Sequence, residues 1–360
     1  MSLTLLTLAS ALASSADWPM FRGNPALTGV SDAVLPDNPV LLWTFKSDAA
    51  IKGSPAIAGN KVFVGSTDSS VYALNLADGK KLWEFKTTGP IESTPCVDGH
   101  TLFIGSSDSK LYAIDTETGK ETWQYATDGE IKAGPNLSGN KVVVGSYDNK
   151  LHCVDAKTGK VVWAFETGNY VNGSAAISDG KTTFGGCDAV LHIVDIDKGQ
   201  ESGKVEAGAY IAASAAIDNG VAYVGHYEHA FLAIDIKKAE ILWKFTGTQE
   251  APFFSSPAVT KDKVIFGGRD KLVHCLDRAS GKELWKFNTK NKVDSSPAVV
   301  REKVVIGSDD GRVYILGLAD GKQLWSYEIG SPIDSSPAVA DGVFVIGAGD
   351  GLLYAFGAKP

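Results

Sequence analysis

Residues 113–123 read AIDTETGKETW, and this eleven-residue pattern decides the fold because it recurs along the chain. Residues 153–163 read CVDAKTGKVVW, residues 275–285 read CLDRASGKELW, residues 233–243 read AIDIKKAEILW, and residues 73–83 carry a looser copy. The pattern ends in a column of tryptophans: Trp43, Trp83, Trp123, Trp163, Trp243, Trp285 and Trp325. Neighbours in this column stand 40 or 42 residues apart, except for one gap of 80 in which a repeat has lost its tryptophan near Gly203.

A glycine column follows the same spacing and completes the count of repeats: Gly65, Gly105, Gly145, Gly185, Gly225, Gly267, Gly307 and Gly347. Each of the eight units holds four strand-like runs, which in the second unit are residues 91–97, 101–105, 111–115 and 121–125. Four short strands form one antiparallel sheet, which must bury its faces against other copies. The sequence therefore predicts an all-β fold, an eight-bladed β-propeller with four antiparallel strands per blade.

The two ends of the repeat region complement each other. The region begins with an isolated outer strand at residues 41–45 and ends with three inner strands that lack an outer one. We expect strand 41–45 to complete the last blade and to close the ring by backbone hydrogen bonds. The predicted organisation is a signal peptide at 1–16, a leader segment at 17–40 and the propeller at 41–360.

The first residues and the composition indicate location and exclude some partners. Residues 3–12 are apolar and are followed by small residues, as in a secretory signal peptide, although residues 1–15 contain no Lys or Arg; an unstructured start is the alternative. We expect an exported, periplasmic or extracellular monomer with no transmembrane segment in the mature chain. The net charge of −8 argues against nucleic acid as a partner.

The eleven-residue pattern, with the Ser-Pro-Ala and Val-x-x-Gly-Ser-x-Asp signatures, resembles the tryptophan-docking repeat of the pyrroloquinoline-quinone-type propellers. The resemblance covers residues 41–357, and residues 17–24 (DWPMFRGN) resemble the segment before the first blade in that family. The family includes quinoprotein alcohol dehydrogenases, the outer-membrane assembly factor B and sensor modules of bacterial kinases. Its fold is shared among several activities, so the resemblance predicts the fold rather than a reaction.

A catalytic member of the family implies a quinone held between a stacking Trp and a disulfide of adjacent cysteines, with Ca²⁺ and an Asp base. The four cysteines, Cys96, Cys153, Cys187 and Cys275, include no adjacent pair, and every Trp except Trp18 belongs to the docking column. We therefore expect no cofactor, with pyrroloquinoline quinone and calcium as the alternative. We also expect four free thiols, of which three fill small buried sites and Cys187 lies in a loop.

Acidic residues at repeated positions are interpreted as scaffold. The Asp column at Asp68, Asp108, Asp148, Asp188, Asp270, Asp310 and Asp350 predicts Asx turns between the second and third strands. Residues 195–201 loosely mimic a calcium loop, yet Asp195 is the repeat Asp of the docking turn. The sequence predicts no metal site.

The loops of blades three to six carry residues that differ from those at the same positions in the other repeats. Packing requirements are the same in every blade, so they do not explain these differences. These loops contain Tyr147, Tyr170, Cys187, Tyr210, His226, Tyr227, Glu228, His229, Phe253 and Arg269. By strand order the loops project from one face, so we expect them to form one binding patch rich in residue types typical of hot spots. The alternative is neutral drift, with aromatic residues that only fill space at the mouth of the ring.

Two functions from different classes remain open at this stage. The first is an exported non-catalytic scaffold or assembly factor, resembling outer-membrane assembly factor B, that binds a protein or peptide through the loop face of blades three to six. The second is a quinone-dependent dehydrogenase or a ligand sensor that binds a small molecule in the central funnel. The predicted polar rim of that funnel contains Lys52, Glu92, Lys132, Asn172, Asp294 and Asp334.

Overall fold

Eight four-stranded antiparallel sheets surround a central channel in the computed structural model, which describes residues 17–359. The predicted signal peptide at 1–16 lies outside these described residues. The eight-bladed propeller with four antiparallel strands per blade is therefore confirmed. One sheet takes a fifth strand, Val30–Ser31, which lies parallel to Ala298–Val300.

Within each blade the chain runs from the axis outward. The first strands, nearest the axis, are Ala56–Ala58, Cys96–Asp98, Asn136–Ser138, Ala176–Ser178, Ala216–Asp218, Ala258–Val259, Ala298–Val300 and Ala338–Ala340. The second strands are Lys61–Ser66, Thr101–Ser106, Lys141–Gly145, Lys181–Gly185, Val221–Gly225, Lys263–Gly267, Lys303–Ser308 and Val343–Gly347. The third strands are Ser70–Asn75, Lys110–Asp115, Lys150–Asp155, Val190–Asp195, Ala230–Asp235, Leu272–Asp277, Arg312–Gly317 and Leu352–Gly357. The fourth strands are Lys81–Lys86, Glu121–Ala126, Val161–Glu166, Glu201–Glu206, Glu240–Thr246, Glu283–Asn288, Gln323–Glu328 and, for the eighth blade, Val40–Lys46.

The first strands are shorter than the sequence predicts. In the second blade the sequence predicts a strand over residues 91–97, whereas the structure has the strand Cys96–Asp98. The physical reason is that the preceding residues pair with neighbouring blades: the Ile91 N–H donates to the Ser66 carbonyl at 3.1 Å, and the Thr94 hydroxyl accepts the Ser54 N–H at 3.2 Å. These bonds link blades instead of extending a sheet.

The ring closes where the sequence predicts. Val40–Lys46 pairs antiparallel with Leu352–Gly357, with Trp43 opposite Ala355. The closing strand is one residue longer at each end than the predicted 41–45. The beginning and the end of the repeat region therefore share one blade.

The tryptophans join successive blades, as expected. The indole Nε1 of Trp83 donates to the Thr116 carbonyl of the next blade at 2.9 Å, and Trp123 and Trp163 make the same bond to Ala156 and Ile196. Buried indoles of about 150–250 Å² are each worth up to roughly 4–6 kcal/mol at 25 cal/mol/Å². The docking column thus adds an apolar contact and a hydrogen bond to the junctions between blades.

The glycine of each docking turn exists because the indole of the preceding blade lies on it. A Cβ on Gly119 would stand 2.7 Å from the Trp83 ring. The exception supports the rule: the fourth blade has Gly203 where the others have Trp, and the facing turn carries Ala239, whose Cβ is 3.4 Å from the Cβ position of Gly203. The missing tryptophan and the permitted alanine occur at the same junction.

We expect Gly119→Ala to lower the free energy of unfolding by about 2–4 kcal/mol, since it combines overpacking against Trp83 with a left-handed backbone at φ +69°. Gly99→Ala is the matched control, because Gly99 has φ +54° and open space around its Cβ position. Gly99→Ala should lower the free energy of unfolding by only about 1 kcal/mol, because it strains the left-handed backbone without a steric clash. Urea denaturation of both variants measures the difference, and equal losses would contradict docking by contact.

The leader segment contacts every blade on one face of the ring. Carbonyls of the leader accept N–H groups from the turns that follow the first strands or from those strands themselves: Trp18 from Ile57, Pro19 from Val97, Pro25 from Ile177, Ala26 from Ile217, Thr28 from Val259, Gly29 from Val299 and Val34 from Gly342. The third blade contributes the Asn136 side chain, whose Nδ2 donates to the Pro25 carbonyl at 2.7 Å. The leader is thus bound to the whole circumference.

The Asp column forms the predicted Asx turns. Asp188 accepts the Val190 N–H at Oδ1 and the Gly168 N–H of the neighbouring loop at Oδ2. Four blades pair this Asp with a Tyr four residues on, and blades three, four and six use His152, His192 and His274 instead. The Asp therefore links the loop between the second and third strands to the loop that enters the first strand, on the face opposite the leader.

His192 gives a pH-dependent contribution to stability. Burial alone would lower its pKa, but hydrogen bonds to Asp188 at 2.8 Å and Glu201 at 3.1 Å outweigh burial and raise the pKa. A raised folded-state pKa stabilises the protein fully below the unfolded value of about 6.5, and this stabilisation is lost as the pH rises through the folded value.

We expect His192→Leu to lower stability most below about pH 6.5 and the deficit to narrow in alkaline buffer. Urea denaturation midpoints of the wild type and the variant, measured below about pH 6.5 and in alkaline buffer, give the difference in stability at each pH. His100→Gln, at an exposed His, is the control and should change the free energy of unfolding by under about 0.5 kcal/mol. A deficit that widens with rising pH would contradict the assignment.

Candidate binding site at the mouth of the channel

Two loops of each blade meet on the face opposite the leader. One loop joins the second and third strands of the blade, and the other leads from the fourth strand of the preceding blade into the first strand. Backbone N–H groups of the former donate to carbonyls of the latter, for example Tyr147 to Glu130 at 2.9 Å and Tyr227 to Tyr210 at 2.8 Å. The same bond links Arg269 to Pro252 at 3.0 Å, so the loops form one surface around the channel mouth.

Two tyrosines stack at the start of this surface. The rings of Tyr147 and Tyr170 are 4.8 Å apart and nearly parallel, at 4°. The Lys132 ammonium lies 5.2 Å from the centre of the Tyr147 ring. Stacking fixes both rings and leaves one face of the pair covered by the cation.

A second aromatic group continues around the mouth. Tyr210 and Tyr227 have ring centres 6.4 Å apart, and Tyr227 lies 5.7 Å from Phe254. The Arg269 guanidinium lies 4.0 Å above the Phe254 ring. We call Tyr147, Tyr170, Tyr210, Tyr227, Phe254 and Arg269 the aromatic arc.

Arg269 is fixed by an ion pair as well as by the ring. Its Nε and Nη2 donate to the two oxygens of Asp294 at 2.9 and 2.8 Å, and Lys292 donates to the same carboxylate at 2.6 Å. Burial would raise the pKa of Asp294, but these two cations outweigh it and lower the pKa. Burial and the nearby Asp334 raise the pKa of Asp309, which also contacts Lys292 at 3.1 Å. Arg269 is therefore held rigidly with its charge balanced.

The arc exposes large apolar area to solvent. Tyr170, Tyr210 and Tyr227 are 45%, 53% and 53% exposed. Three of the other blades carry only Ala50, Pro90 and Pro332 at the position of Tyr170 and Tyr210. Exposed, preordered aromatic side chains with a polar tip are typical of protein-binding surfaces.

Two predicted site residues lie in the core instead of on this surface. Phe253 is fully buried beside Phe266 and His274, because it belongs to the apolar column of Ile51, Ile91 and their equivalents. Side chains alternate along this segment, so its neighbour Phe254 faces the mouth. The column alignment carried this signal, and sequence reasoning missed Phe254.

His226 is also buried, and its Nδ1 accepts the Glu228 N–H at 3.1 Å. Burial, assisted by Lys244, lowers the pKa of His226 to about 4, so the ring is neutral at pH 7. Glu228 is exposed and His229 is half-buried. Within residues 17–359, no group of three or more His, Cys, Asp or Glu residues has the arrangement of a metal site.

The cysteines are all unpaired, and three of them are fully buried. Burial raises the pKa of Cys96, Cys153 and Cys275 to about 12, so these thiols stay protonated and fill core space. Cys187 is half-buried beside the mouth, where the Asn172 Nδ2 lies 2.8 Å from its Sγ. It borders the aromatic arc without exposing a large surface.

The channel itself is narrow and polar. It contains about 190 Å³, below the roughly 300–1,000 Å³ of small-molecule sites. The predicted rim residues Lys52, Glu92, Lys132, Asn172, Asp294 and Asp334 all line it, with Phe21 of the leader and Phe254.

A quinone with calcium does not fit these residues. Trp18 is buried on the leader face, where it bridges to Ile57, and the other tryptophans are bound at blade junctions. The carboxylates at the rim are paired with cations: Glu92 with Lys52, and Asp294 with Arg269 and Lys292. No stacking indole and no adjacent cysteines face the channel within the part of the chain that the structure describes.

Comparisons with known proteins identify the family. A family model described as the β-propeller of the beta-alanine-activating enzyme matches residues 99–359. The chain belongs to this propeller family. A second model, described as outer membrane protein assembly factor BamB, matches residues 36–126 of the same propeller. The resemblance to the pyrroloquinoline-quinone-type repeat that the sequence indicates is therefore confirmed.

Solved structures share the fold of this propeller at low sequence identity. The computationally designed Ika8 protein is 20% identical with a TM-score of 0.80, over 88% of this chain and 99% of its own. BamB from Moraxella catarrhalis is 18% identical with a TM-score of 0.74, over 89% and 100%. The quinohemoprotein alcohol dehydrogenase from Comamonas testosteroni is 14% identical with a TM-score of 0.81, over 96% and 81%. No curated protein sequence matches the propeller.

No helix in residues 17–359 has the length and hydropathy needed to cross a membrane.

Proposed function

We propose that the protein is an exported, non-catalytic scaffold that binds a protein or peptide through the aromatic arc of blades three to six. The observation that carries the proposal is the set of half-exposed tyrosines, fixed by stacking and by loop hydrogen bonds, at one side of the mouth. The likeness to an outer membrane assembly factor supports a binding role.

The arrangement suits an extended peptide better than a flat cofactor. The arc follows the rim over four blades, whereas the channel is narrow. Ordered aromatic rings give contact area with little loss of side-chain entropy on binding. Arg269 and Lys132 add donors at the ends of the arc for backbone carbonyls or carboxylates of the partner. Periplasmic or extracellular location belongs to the same proposal.

A displayed library of random peptides, selected on the purified protein, tests the proposal. Selected peptides should lose at least tenfold in affinity, about 1.4 kcal/mol, for the triple variant Tyr170→Ala, Tyr210→Ala and Tyr227→Ala. The control is the triple variant Leu82→Ala, Leu284→Ala and Leu324→Ala, whose leucines are 47%, 50% and 51% exposed on the outer rim. Peptides that bind the wild type and the tyrosine variant equally would overturn the proposal.

A dehydrogenase assay separates the two classes of function. Addition of pyrroloquinoline quinone, calcium, an alcohol and a redox dye should give no dye reduction, because the channel residues do not fit the cofactor. Dye reduction that disappears in a Phe254→Ala variant would favour the enzyme instead.

A further inference from the structure

A pocket of about 320 Å³ opens between two tyrosines of the aromatic arc, at the junction of blades four and five. Two half-exposed aromatic rings, one acidic residue and three small residues line it: Tyr210, Tyr227, Glu228, Ala189, Gly208 and Ala209. The two rings stand at 65° to each other, with their centres 6.4 Å apart. The faces of tyrosine rings carry negative partial charge, so a pocket lined by two rings and a carboxylate favours a cation.

Glu228 occupies the position at which the seven other blades carry the Asp of the Asx turn. In blade four Asp188 accepts the Val190 and Gly168 N–H groups and bonds to His192. The exposed Glu228 carboxylate makes none of the corresponding hydrogen bonds and no ion pair within residues 17–359. The loop of blade five therefore leaves its carboxylate available to a ligand.

The Ala209 carbonyl of the same pocket also lacks the donors that its counterparts have. The Gly129 carbonyl, at the equivalent position before blade three, accepts the hydroxyls of Thr127 and Ser146. Alanine and histidine replace these two residues at the blade-five junction, and the Ala209 carbonyl accepts no hydrogen bond in the described part of the chain. Packing requirements are equal in every blade, so the changes at one junction point to a ligand there.

We propose that this pocket, which we call the cation cage, binds a positively charged Lys or Arg side chain of the protein or peptide on the aromatic arc. The cation lies against the rings of Tyr210 and Tyr227 and pairs with Glu228. The inference rests on the proposed function, because it names the chemistry of that partner.

Other occupants fit the cation cage less well. An apolar side chain would cover the Glu228 carboxylate without giving it a partner, which is costly. An anion would meet the carboxylate and the negative ring faces, and the net charge of −8 repels it further.

Choline and its neutral isostere 3,3-dimethyl-1-butanol test the cation cage without any peptide. Nuclear magnetic resonance of the full chain, labelled on its tyrosine rings, follows both titrations. Choline should shift the Tyr210 and Tyr227 signals with a dissociation constant of roughly 1–10 mM, and the alcohol should bind about fivefold more weakly or less. Equal binding of the two compounds, or no shift with choline, would overturn the proposal.

Glu228→Gln removes the charge of the cage and keeps the shape of the side chain. It should weaken choline binding about fivefold or more. Glu166→Gln is the matched control, because Glu166 is also exposed and unpaired within residues 17–359 but does not line the pocket. The control should bind choline as the wild type does, and a Glu228→Gln protein with wild-type affinity would overturn the proposal.

Peptides selected on the purified protein test whether the cage serves the partner. They should share a Lys or Arg whose replacement by norleucine weakens binding to the wild type about fivefold or more, but to Glu228→Gln under about twofold. Peptides that need the arc tyrosines yet tolerate norleucine would overturn the cation cage and leave the proposed function standing. Choline binding without any peptide that needs these tyrosines would overturn the proposed function and support a cation site in this pocket.

Discussion

Trp43→Ala is expected to lower the free energy of unfolding by about 3–5 kcal/mol, the usual cost of removing a buried aromatic side chain. Trp43 lies on the closing strand, and its Nε1 donates to the Leu76 carbonyl of the first blade at 2.8 Å. Its loss therefore weakens the junction that joins the eighth blade to the first. Urea denaturation followed by circular dichroism measures the loss.

The control for Trp43→Ala is Trp123→Ala, which removes the same indole between blades two and three. Both variants should lose similar stability. Only Trp43→Ala should also speed hydrogen exchange in Leu352–Gly357, because the third strand of the eighth blade depends on the closing strand for its outer partner. Equal protection of that strand in both variants would contradict closure by Val40–Lys46.

Phe253→Ala and Phe254→Ala should affect different properties although the residues are adjacent: the first should lower stability, and the second should weaken peptide binding. Phe253 is fully buried and packs on Phe245, Phe266 and His274, so its truncation should cost about 3–5 kcal/mol of stability. Phe254 lies at the mouth under Arg269, so its truncation should cost under about 1 kcal/mol and weaken binding of a selected peptide severalfold.

Thermal unfolding and peptide titration of the two variants give the comparison directly. A Phe253→Ala protein with wild-type stability would contradict the burial of this residue. A Phe254→Ala protein with unchanged peptide affinity would remove Phe254 from the aromatic arc.

The repeat spacing predicted the blades, their number and the closing strand, because every copy must satisfy the same packing demands. The docking of Trp83 on Gly119 is visible in sequence as two columns with a common period. The lost tryptophan at Gly203 even has its counterpart in Ala239. Local chemistry and repetition were sufficient for this part of the fold.

The candidate site was predicted less well, because one residue of register decides whether a side chain lies in the core or at the mouth. Phe253 and His226 were placed on the surface and are buried, while Phe254 was overlooked. The path of the leader and the burial of Arg22 depend on contacts between residues more than 200 positions apart. Sequence periodicity contains no information about such contacts.

The closing strand also sets a requirement on folding, because it pairs with the last inner strand of the propeller. The segment around Trp43 is made before the eight inner strands of the blades, yet its partner, Leu352–Gly357, is made after all the other strands of the propeller. Contacts of such large sequence separation slow folding, since the chain between them must first be ordered. Blades can form progressively as the chain emerges, but the ring is completed only after Leu352–Gly357 is available. A chain truncated before Leu352 therefore keeps Val40–Lys46 without its partner strand. Unpaired sheet edges promote aggregation, so such truncated chains should aggregate more than chains that can close the ring.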